Sequence, residues 1–141
     1  MNIKQLSIFV ENKPGRAYAI AEALSENNIN LSALSIADTS EYGIMRVIVD
    51  DPDKAKAILQ QSGVMVKITN VIAIPMDNSP GSLTKILKIL TDADISVRYM
   101  YAFVNEHKGG AVLVTKTGDN DLAVAELEKF GITPLNEDNL F

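Results

Sequence analysis

A short loop occurs twice in this chain, with 66 residues between equivalent positions. The first loop is Glu11–Arg16, with the sequence ENKPGR, and the second is Asp77–Ser82, with the sequence DNSPGS. Each follows an apolar run and precedes an amphipathic helix pattern. Internal repetition of this kind indicates repeated structural units. We therefore interpret the chain as two versions of one small domain, covering residues 1–69 and 70–141.

The match between the two repeats extends beyond the loops. A gapless alignment pairs apolar positions with apolar positions, and the hairpin glycines also align once one extra residue is allowed in the second hairpin turn. The aligned pairs include Ile8 with Ile74, Asn12 with Asn78, Ile20 with Ile86, Leu24 with Leu90 and Ile29 with Ile95. Core and loop positions therefore repeat together, with only Thr69-Asn70 as a joint.

Each repeat has the pattern β-α-β-β-α-β. Short apolar runs bounded by turn residues predict the strands, and apolar residues at helical spacing predict the helices. Pro14 and Pro80 are expected in the first turns of two helices, with Ser79 as a cap. The predicted strands are Ile3–Val10, Ile29–Ala37, Ile44–Val49, Val64–Ile68, Val71–Met76, Ile95–Val104, Ala111–Thr115 and Ile132–Leu135. The fold class is therefore α+β, with two ferredoxin-like βαββαβ domains in tandem, packed side by side with antiparallel sheets.

Composition excludes several classes of function. The net charge of -5 disfavours nucleic-acid binding, which depends on Lys and Arg neutralising phosphates. The chain has no cysteine, so it has no disulfide, thiolate metal site or cysteine nucleophile. No apolar run approaches the ~20 residues of a membrane span. We expect a cytoplasmic protein without a cofactor, a bound metal or a membrane partner.

Catalytic residues are difficult to find in this sequence. His107 is the only histidine and lies in a predicted hairpin turn, where a solvated side chain is expected. The acidic groups at Asp50-Asp51-Asp53 and Asp119-Asp121 precede helices, so capping explains them without a metal. No Gly-rich phosphate loop occurs. We therefore predict no enzyme activity.

The Asn-x-Pro-Gly loops are the candidate ligand sites. A helix start presents unpaired N–H groups that suit a carboxylate. An asparagine amide both donates and accepts hydrogen bonds, and glycine lets a ligand approach the backbone closely. A plain turn explains the same residues equally well. Arg16 adds a positive charge to the first loop, whereas Ser82 occupies the matching place in the second, so the two sites should differ in affinity.

The apolar segments Ile29–Ala37 and Ile95–Val104 are expected to form sheet edges. A long apolar edge promotes association unless it is paired. Two outcomes remain open: the two edges pair into one eight-stranded sheet, or dimerisation covers them. Tyr99 and Tyr101 could also line a ligand cavity, although packing is the commoner role.

At this point the chain resembles a stand-alone tandem ACT-domain protein. The resemblance rests on the apolar strand, the Asn-x-Pro-Gly loop and the helix that follows it, and on Asn28-Ile29-Asn30 and Asp94-Ile95-Ser96 before the second strand of each repeat. It implies domains that pair side by side and bind an amino acid at the pair interface. The ligand-binding residues that the resemblance implies are Asn12, Gly15, Ile29, Asn30, Asn78, Gly81, Ile95 and Ser96. The chemistry of the loops adds Pro14, Arg16 and Pro80 as candidates. The Glu-Ser-Arg-Pro motif of phenylalanine-responsive members is absent.

The leading hypothesis is a regulatory, allosteric sensor without catalysis, forming a homodimer and acting on a separate enzyme of amino-acid metabolism. The alternative is a structural or partner-binding module that assembles with a metabolic enzyme without a ligand. A third reading is a small hydrolase of acyl phosphates. It requires a Gly-rich anion loop with an arginine, and Arg16 lies instead in a Pro-Gly loop.

Overall fold

The computed structural model describes residues 2–38, 41–105 and 109–140. Six strands and four helices are assigned in these residues. Their order is β1 (Ile3–Glu11), α1 (Arg16–Glu26), β2 (Leu31–Asp38), β3 (Tyr42–Val49), α2 (Pro52–Gln61), β4 (Val66–Met76), α3 (Ser82–Asp92), β5 (Val97–Val104), β6 (Ala111–Thr117) and α4 (Asn120–Lys129).

The chain divides into two compact units. Lys4–Thr69 form the N-terminal unit, and the chain from Asn70 onward forms the C-terminal unit together with the short segment before Lys4. The strand order is β2-β3-β1-β4 in the N-terminal unit and β4-β6-β5 in the C-terminal unit. The resolved pairings are antiparallel. This confirms the predicted α+β class with tandem ferredoxin-like repeats.

Each unit has its own apolar core between its helices and its strands. In the N-terminal unit, Leu6 and Ile8 of β1 pack with Leu24 of α1 and Leu59 of α2, and all four side chains are fully buried. In the C-terminal unit the equivalent core is built around the group Ile72, Ile74, Ile86, Leu90, Leu113 and Leu127. Ile72, Ile74, Ile86 and Leu90 align with Leu6, Ile8, Ile20 and Leu24 of the first core, so the repeated apolar pattern encodes a repeated core.

Two strand predictions were wrong in detail. Val64–Ile68 and Val71–Met76 were predicted as separate strands, but β4 is one continuous strand that contributes residues to both units. Ile132–Leu135 was predicted as a strand, but it forms a single bridge between Ala73 and Leu135. Pro134 supplies no N–H to a ladder, which limits how far this segment can pair.

The helices after the repeated loops begin later than predicted. Helices α1 and α3 start at Arg16 and Ser82, each after a glycine in the left-handed region (φ 86° and 90°). Pro14 and Pro80 therefore lie in the turn before the helix. Ser79 does not cap α3, because its hydroxyl lies 3.0 Å from the Ser82 hydroxyl instead. Gly15 and Gly81 take the N-cap positions, so each proline precedes the helix instead of lying in its first turn.

Strands β2 and β5 lie at sheet edges, as predicted. Within its unit, β2 pairs with β3 and β5 pairs with β6. Apolar side chains on these strands are exposed, including Leu34 and Ile36 of β2, at 56% and 54%. Met100 and Val104 of β5 are exposed as well. Both edges thus carry exposed apolar surface, which favours association.

Candidate functional site: the repeated loops and their surroundings

Both Asn-x-Pro-Gly loops are exposed, and each leads into a helix without a side-chain cap. The backbone N–H of Arg16 donates to the Lys13 carbonyl at 3.3 Å, and that of Ser82 donates to the Ser79 carbonyl at the same distance. No side chain caps the next N–H groups of either helix. Uncapped first-turn N–H groups and the helix dipole together favour a negatively charged ligand group.

Asn12 is held against the end of the β2–β3 hairpin. Its backbone N–H donates to the Glu41 carbonyl at 3.2 Å, and its side-chain amide donates to the Asp38 carboxylate at 2.5 Å. In the second loop, the Asn78 side chain makes no hydrogen bond with the residues that the structure describes. The two asparagines, although equivalent in sequence, therefore differ in how much of their bonding capacity is in use.

The charges around the two loops also differ. In the first loop, the Glu11 carboxylate lies 3.3 Å from the Lys13 ammonium and 3.8 Å from the Arg16 guanidinium. All three side chains are about half exposed, so these pairs contribute at most ~1 kcal/mol each to stability. The second loop has Asp77 at the position of Glu11 and neutral residues after it. The predicted asymmetry in charge is thus present, with Arg16 partly neutralised by Glu11.

The predicted ligand contacts before β2 and β5 lie at helix ends. Asn28 and Asp94 adopt left-handed conformations (φ 58° and 59°), and the next residue closes the helix. The Ile29 N–H donates to the Leu24 carbonyl at 3.0 Å, and the Ile95 N–H donates to Leu90 at 2.9 Å. Ile29 and Ile95 are buried in the cores, at 5% and 8% exposure. Their N–H groups and side chains are therefore used by the fold itself.

Asn30 and Ser96 are also bonded within their units. The Asn30 N–H donates to the Asp50 carboxylate at 3.2 Å, and the Asn30 carbonyl accepts from the Asp50 N–H at 3.3 Å. The Ser96 carbonyl accepts from the Gly118 N–H at 2.9 Å. The Asn30 side chain remains exposed at this end of the sheet.

Within one unit, the loop residues and the strand-entry residues lie at opposite ends of the sheet. Glu11, next to Asn12, is level with Tyr42 of β3, whereas Leu31, next to Asn30, is level with Val49. Seven residue steps along β3 correspond to roughly 23 Å at ~3.3 Å per residue. The C-terminal unit has the same arrangement, because Met76 is level with Ala111 and Val97 with Thr117. A single unit thus does not bring the two predicted groups together.

The acidic groups act as caps and pairs in the fold. The Asp51 carboxylate accepts from the Lys54 N–H at 3.2 Å, and the Asp119 carboxylate accepts from the Leu122 N–H at 3.0 Å. These contacts confirm the predicted capping roles. Among residues 2–38, 41–105 and 109–140, no group of three or more His, Cys, Asp or Glu side chains is arranged to hold a metal. His107, with Glu106 and Lys108, lies outside the described residues.

Each unit also contains a cavity that the sequence reasoning missed. The C-terminal cavity, of about 520 Å³, is lined by the end of β4, the start of α3 and the segment after α4. The N-terminal cavity, of about 740 Å³, is lined by the end of β1, the length of α1 and the segment after α2. The two occupy equivalent positions in the repeat. The sequence feature that could have indicated the N-terminal cavity is the small side chains of Ala19 and Ala23 in α1. The aligned residues of α3 are the larger Lys85 and Ile89.

None of the described helices is long and apolar enough to cross a bilayer. The chain is thus defined by two βαββαβ repeats, each with an exposed Asn-x-Pro-Gly loop at a helix start. These features define a tandem pair of ferredoxin-like domains of the ACT type. A family profile described as an ACT domain pair matches residues 1–140, and the chain belongs to this family.

Solved structures support the same assignment. The crystal structure of protein BT0572 from Bacteroides thetaiotaomicron is 41% identical and has a TM-score of 0.93, with 99% of this chain and 96% of that chain covered. The regulatory subunit of aspartate kinase from Thermus thermophilus has a TM-score of 0.63 at 13% identity, covering 91% of each chain. The latter likeness concerns the fold alone. Among curated proteins, none matches this sequence.

Proposed function

We propose that this protein is a non-catalytic, cytoplasmic regulator that binds a small amino acid at the interface of paired ACT-like domains, with domain boundaries at 1–69 and 70–141. The observation that carries the proposal is the repeated loop geometry. In both units, an exposed asparagine and a left-handed glycine precede a helix whose first turn has no side-chain cap. The fold is also that of the aspartate kinase regulatory subunit from Thermus thermophilus, which supports a regulatory role.

The chemistry of an amino acid fits this arrangement. Its carboxylate would accept hydrogen bonds from the first N–H groups of α1 or α3. The carboxamide oxygen of Asn12 or Asn78 would accept from its ammonium group. Gly15 and Gly81 have no Cβ, which leaves room for the ligand beside the backbone. Because the Asn78 side chain bonds none of the described residues, whereas the Asn12 amide already bonds Asp38, we expect the second loop to bind more readily.

The strand-entry residues must then come from a second molecule. Asn12 lies level with the end of β2, beside Asp38, whereas Asn30 precedes the start of β2. Antiparallel pairing of β2 with β2 of another molecule would bring Asn12 of one beside Asn30 of the other. Pairing of the β5 edges would do the same for Asn78 and Ser96. We therefore propose a homodimer in which each ligand site is shared.

Such a sensor would act on a partner protein, which we propose to be an enzyme of amino-acid metabolism. The chain itself carries no catalytic group that we identify, so we place the chemistry in a separate enzyme. The alternative is a structural or partner-binding module that assembles with a metabolic enzyme in the absence of ligand. The two candidates differ in one measurable respect, since only the sensor is stabilised by a free amino acid.

Thermal unfolding with each common L-amino acid tests the sensor. A ligand present at 100 times its Kd stabilises the folded state by about 2.7 kcal/mol. For a chain of this length, that stabilisation corresponds to a Tm rise of about 5 to 11 °C. The D-enantiomer serves as the control ligand, because it cannot place all three groups in the same positions. If no amino acid raises the Tm, the structural module becomes the better reading.

Variants locate the site and test the shared interface. Asn78→Ala should abolish most of the Tm rise, whereas Gln61→Ala, an exposed change on α2, should leave it intact. The double variant Ile36→Lys/Met100→Lys places charges on both edges, so it should reduce the mass in solution to the 15.3 kDa of one chain. Leu122→Lys, on an exposed position of α4, is the matched control. Retention of the dimer and of ligand binding in the double variant would disprove the shared site.

A further inference from the structure

The cavity of the N-terminal unit forms an elongated groove along α1, which we call the α1 groove. Its lining extends from Arg16 to Glu26, eleven residues whose ten steps span about 15 Å of helix. Val10, Ile20 and Leu59 are buried apolar residues in its lining. Phe9 and Met65 also line the groove and are exposed, at 41% and 69%. The groove therefore offers an apolar surface that the unit itself leaves open.

The groove exists because α1 presents small side chains on this side. Ala19 and Ala23 line it, four residues apart on one face of the helix. The aligned residues of α3 are Lys85 and Ile89, and Ile89 is buried in the core of its unit. This difference in side-chain size is consistent with the larger volume of the N-terminal cavity, 740 Å³ against 520 Å³.

The charges at the groove are unevenly distributed. At one end, Arg16 lies 3.8 Å from Glu11, so that end is close to neutral. Farther along α1, Glu22 and Glu26 are one turn apart, and like charges at this spacing destabilise a helix. Glu26 is also the last residue of α1, where a negative charge opposes the helix dipole. The Lys54 ammonium donates to the Asn27 carbonyl at 3.0 Å and so already offsets the dipole at this end, whereas the repulsion between Glu22 and Glu26 would be relieved by a further cation.

Within the described residues, neither the Glu22 nor the Glu26 carboxylate is paired with a positively charged side chain. The Tyr18 hydroxyl donates to the Glu22 carboxylate at 2.7 Å, which adds no positive charge. No residue in the described ranges donates a side-chain hydrogen bond to Glu26 or forms an ion pair with it. The groove thus joins an apolar surface to two carboxylates that form no ion pair with the residues the structure describes.

From this arrangement we propose that the α1 groove binds a small aliphatic ammonium ion. The hydrocarbon chain lies along Ala19, Ala23 and Ile20, and the ammonium group lies between the Glu22 and Glu26 carboxylates. The volume of the groove is within the 300–1,000 Å³ typical of small-molecule sites. The site shares only Glu11 and Arg16 with the first loop, so a failure of amino-acid binding at the loops would not by itself remove it.

Titration of the ¹⁵N-labelled full chain with hexylammonium, followed by amide chemical shifts, tests the proposal. Saturable shifts are expected at residues that line the α1 groove, such as Ile20, Ala23 and Val64. Hexanol and hexanoate have the same chain without the positive charge, and both should bind more weakly. Each further methylene, from butylammonium upward, should strengthen binding by up to about fourfold while the chain remains on the apolar surface.

Two sets of variants separate a specific site from general adsorption. Ala19→Lys introduces the residue found at the matching position of α3 and should abolish binding by adding a positive charge to the groove. Ala21→Lys makes the same change at an exposed position of α1 outside the lining, and it should bind as the unmodified chain does. Glu22→Gln and Glu26→Gln should each weaken binding about 1.5- to 5-fold, as expected for exposed ion pairs.

The proposal is overturned by any of three results. Shifts that remain linear in hexylammonium up to tens of millimolar would show that the groove is not a site. Equal affinity for hexanoate would show that Glu22 and Glu26 do not select a cation. Unchanged binding in Ala19→Lys would place the ammonium ion elsewhere on the molecule.

Discussion

Gly110 in the second hairpin is the glycine at which an added methyl group should lower the free energy of unfolding most. Its backbone is left-handed (φ 76°), and a Cβ there would lie 2.7 Å from the Met76 carbonyl oxygen. Gly43 in the first hairpin serves for comparison. It is level with Val10, whereas Ala111 is level with Met76, the counterpart of Val10, so the second hairpin has two extra residues rather than the one predicted, and Gly43 corresponds to Ala111. A Cβ at Gly43 would meet the Asn12 carboxamide oxygen at 3.4 Å, an ordinary contact. The same substitution at these two hairpin glycines therefore tests backbone conformation and close approach together.

The magnitudes follow from these geometries. A left-handed conformation costs a non-glycine residue roughly 1 to 2 kcal/mol. Overpacking adds typically about 1 to 3 kcal/mol, and the contact at Gly110 is with backbone, which cannot rotate away. Alanine recovers about 0.4 to 1 kcal/mol by restricting the unfolded chain. We therefore expect Gly110→Ala to lower the free energy of unfolding by about 2 to 4 kcal/mol and Gly43→Ala to change it by less than about 1 kcal/mol.

Urea unfolding followed by far-UV circular dichroism measures both values, and Gly109→Ala supplies a second control. Gly109 is also left-handed (φ 71°), but no described atom lies within 4 Å of its would-be Cβ. It should therefore show the conformational cost without the overlap. If Gly110→Ala and Gly109→Ala destabilise equally, the close approach to Met76 contributes nothing and the reasoning is refuted.

Two further predictions concern a helix cap and an ionisable side chain. Asp119→Ala removes the acceptor of the Leu122 N–H at the start of α4, so it should cost about 1 kcal/mol in urea unfolding, whereas Asp121→Ala in the same turn should cost less. The hydrogen bond to Glu22, together with desolvation and the charge of Glu26, raises the pKa of the Tyr18 hydroxyl above its usual value of 10.0. Because the raised pKa belongs to the folded state, the stabilisation is complete below pH 10 and is lost as the pH rises through the folded-state pKa. Titration by ¹³C NMR of labelled tyrosine should show Tyr18 moving back toward 10.0 in Glu22→Gln, and an unmoved value would show that this bond is not the cause.

Local sequence patterns predicted most of the fold. A short apolar run predicted β1, apolar residues at helical spacing predicted α1, and the acidic residues before α2 and α4 cap those helices as expected. The repeat then doubled the evidence, since each element of one half supported its counterpart in the other. These features depend on interactions within a few residues of the chain, which a sequence displays directly.

Element ends depended on features that such patterns do not contain. Pro14 and Pro80 are good residues for a first helical turn, but the left-handed Gly15 and Gly81 shift both helix starts by two residues. Similarly, β4 passes through Thr69-Asn70 without a break because pairing partners lie beside it on both sides of the predicted joint. A strand is defined by its neighbours, and those neighbours are distant in sequence.

By itself, the sequence determined that this protein is a tandem of two βαββαβ repeats with matched Asn-x-Pro-Gly loops. Only the tertiary structure decided that Asn12 and Asn30 lie roughly 23 Å apart along one sheet. It also revealed the α1 groove, where Ala19 and Ala23 leave space beside Glu22 and Glu26. The reason is physical, because register and cavities arise from contacts between segments far apart in the chain, whereas periodicity and capping arise from neighbouring residues.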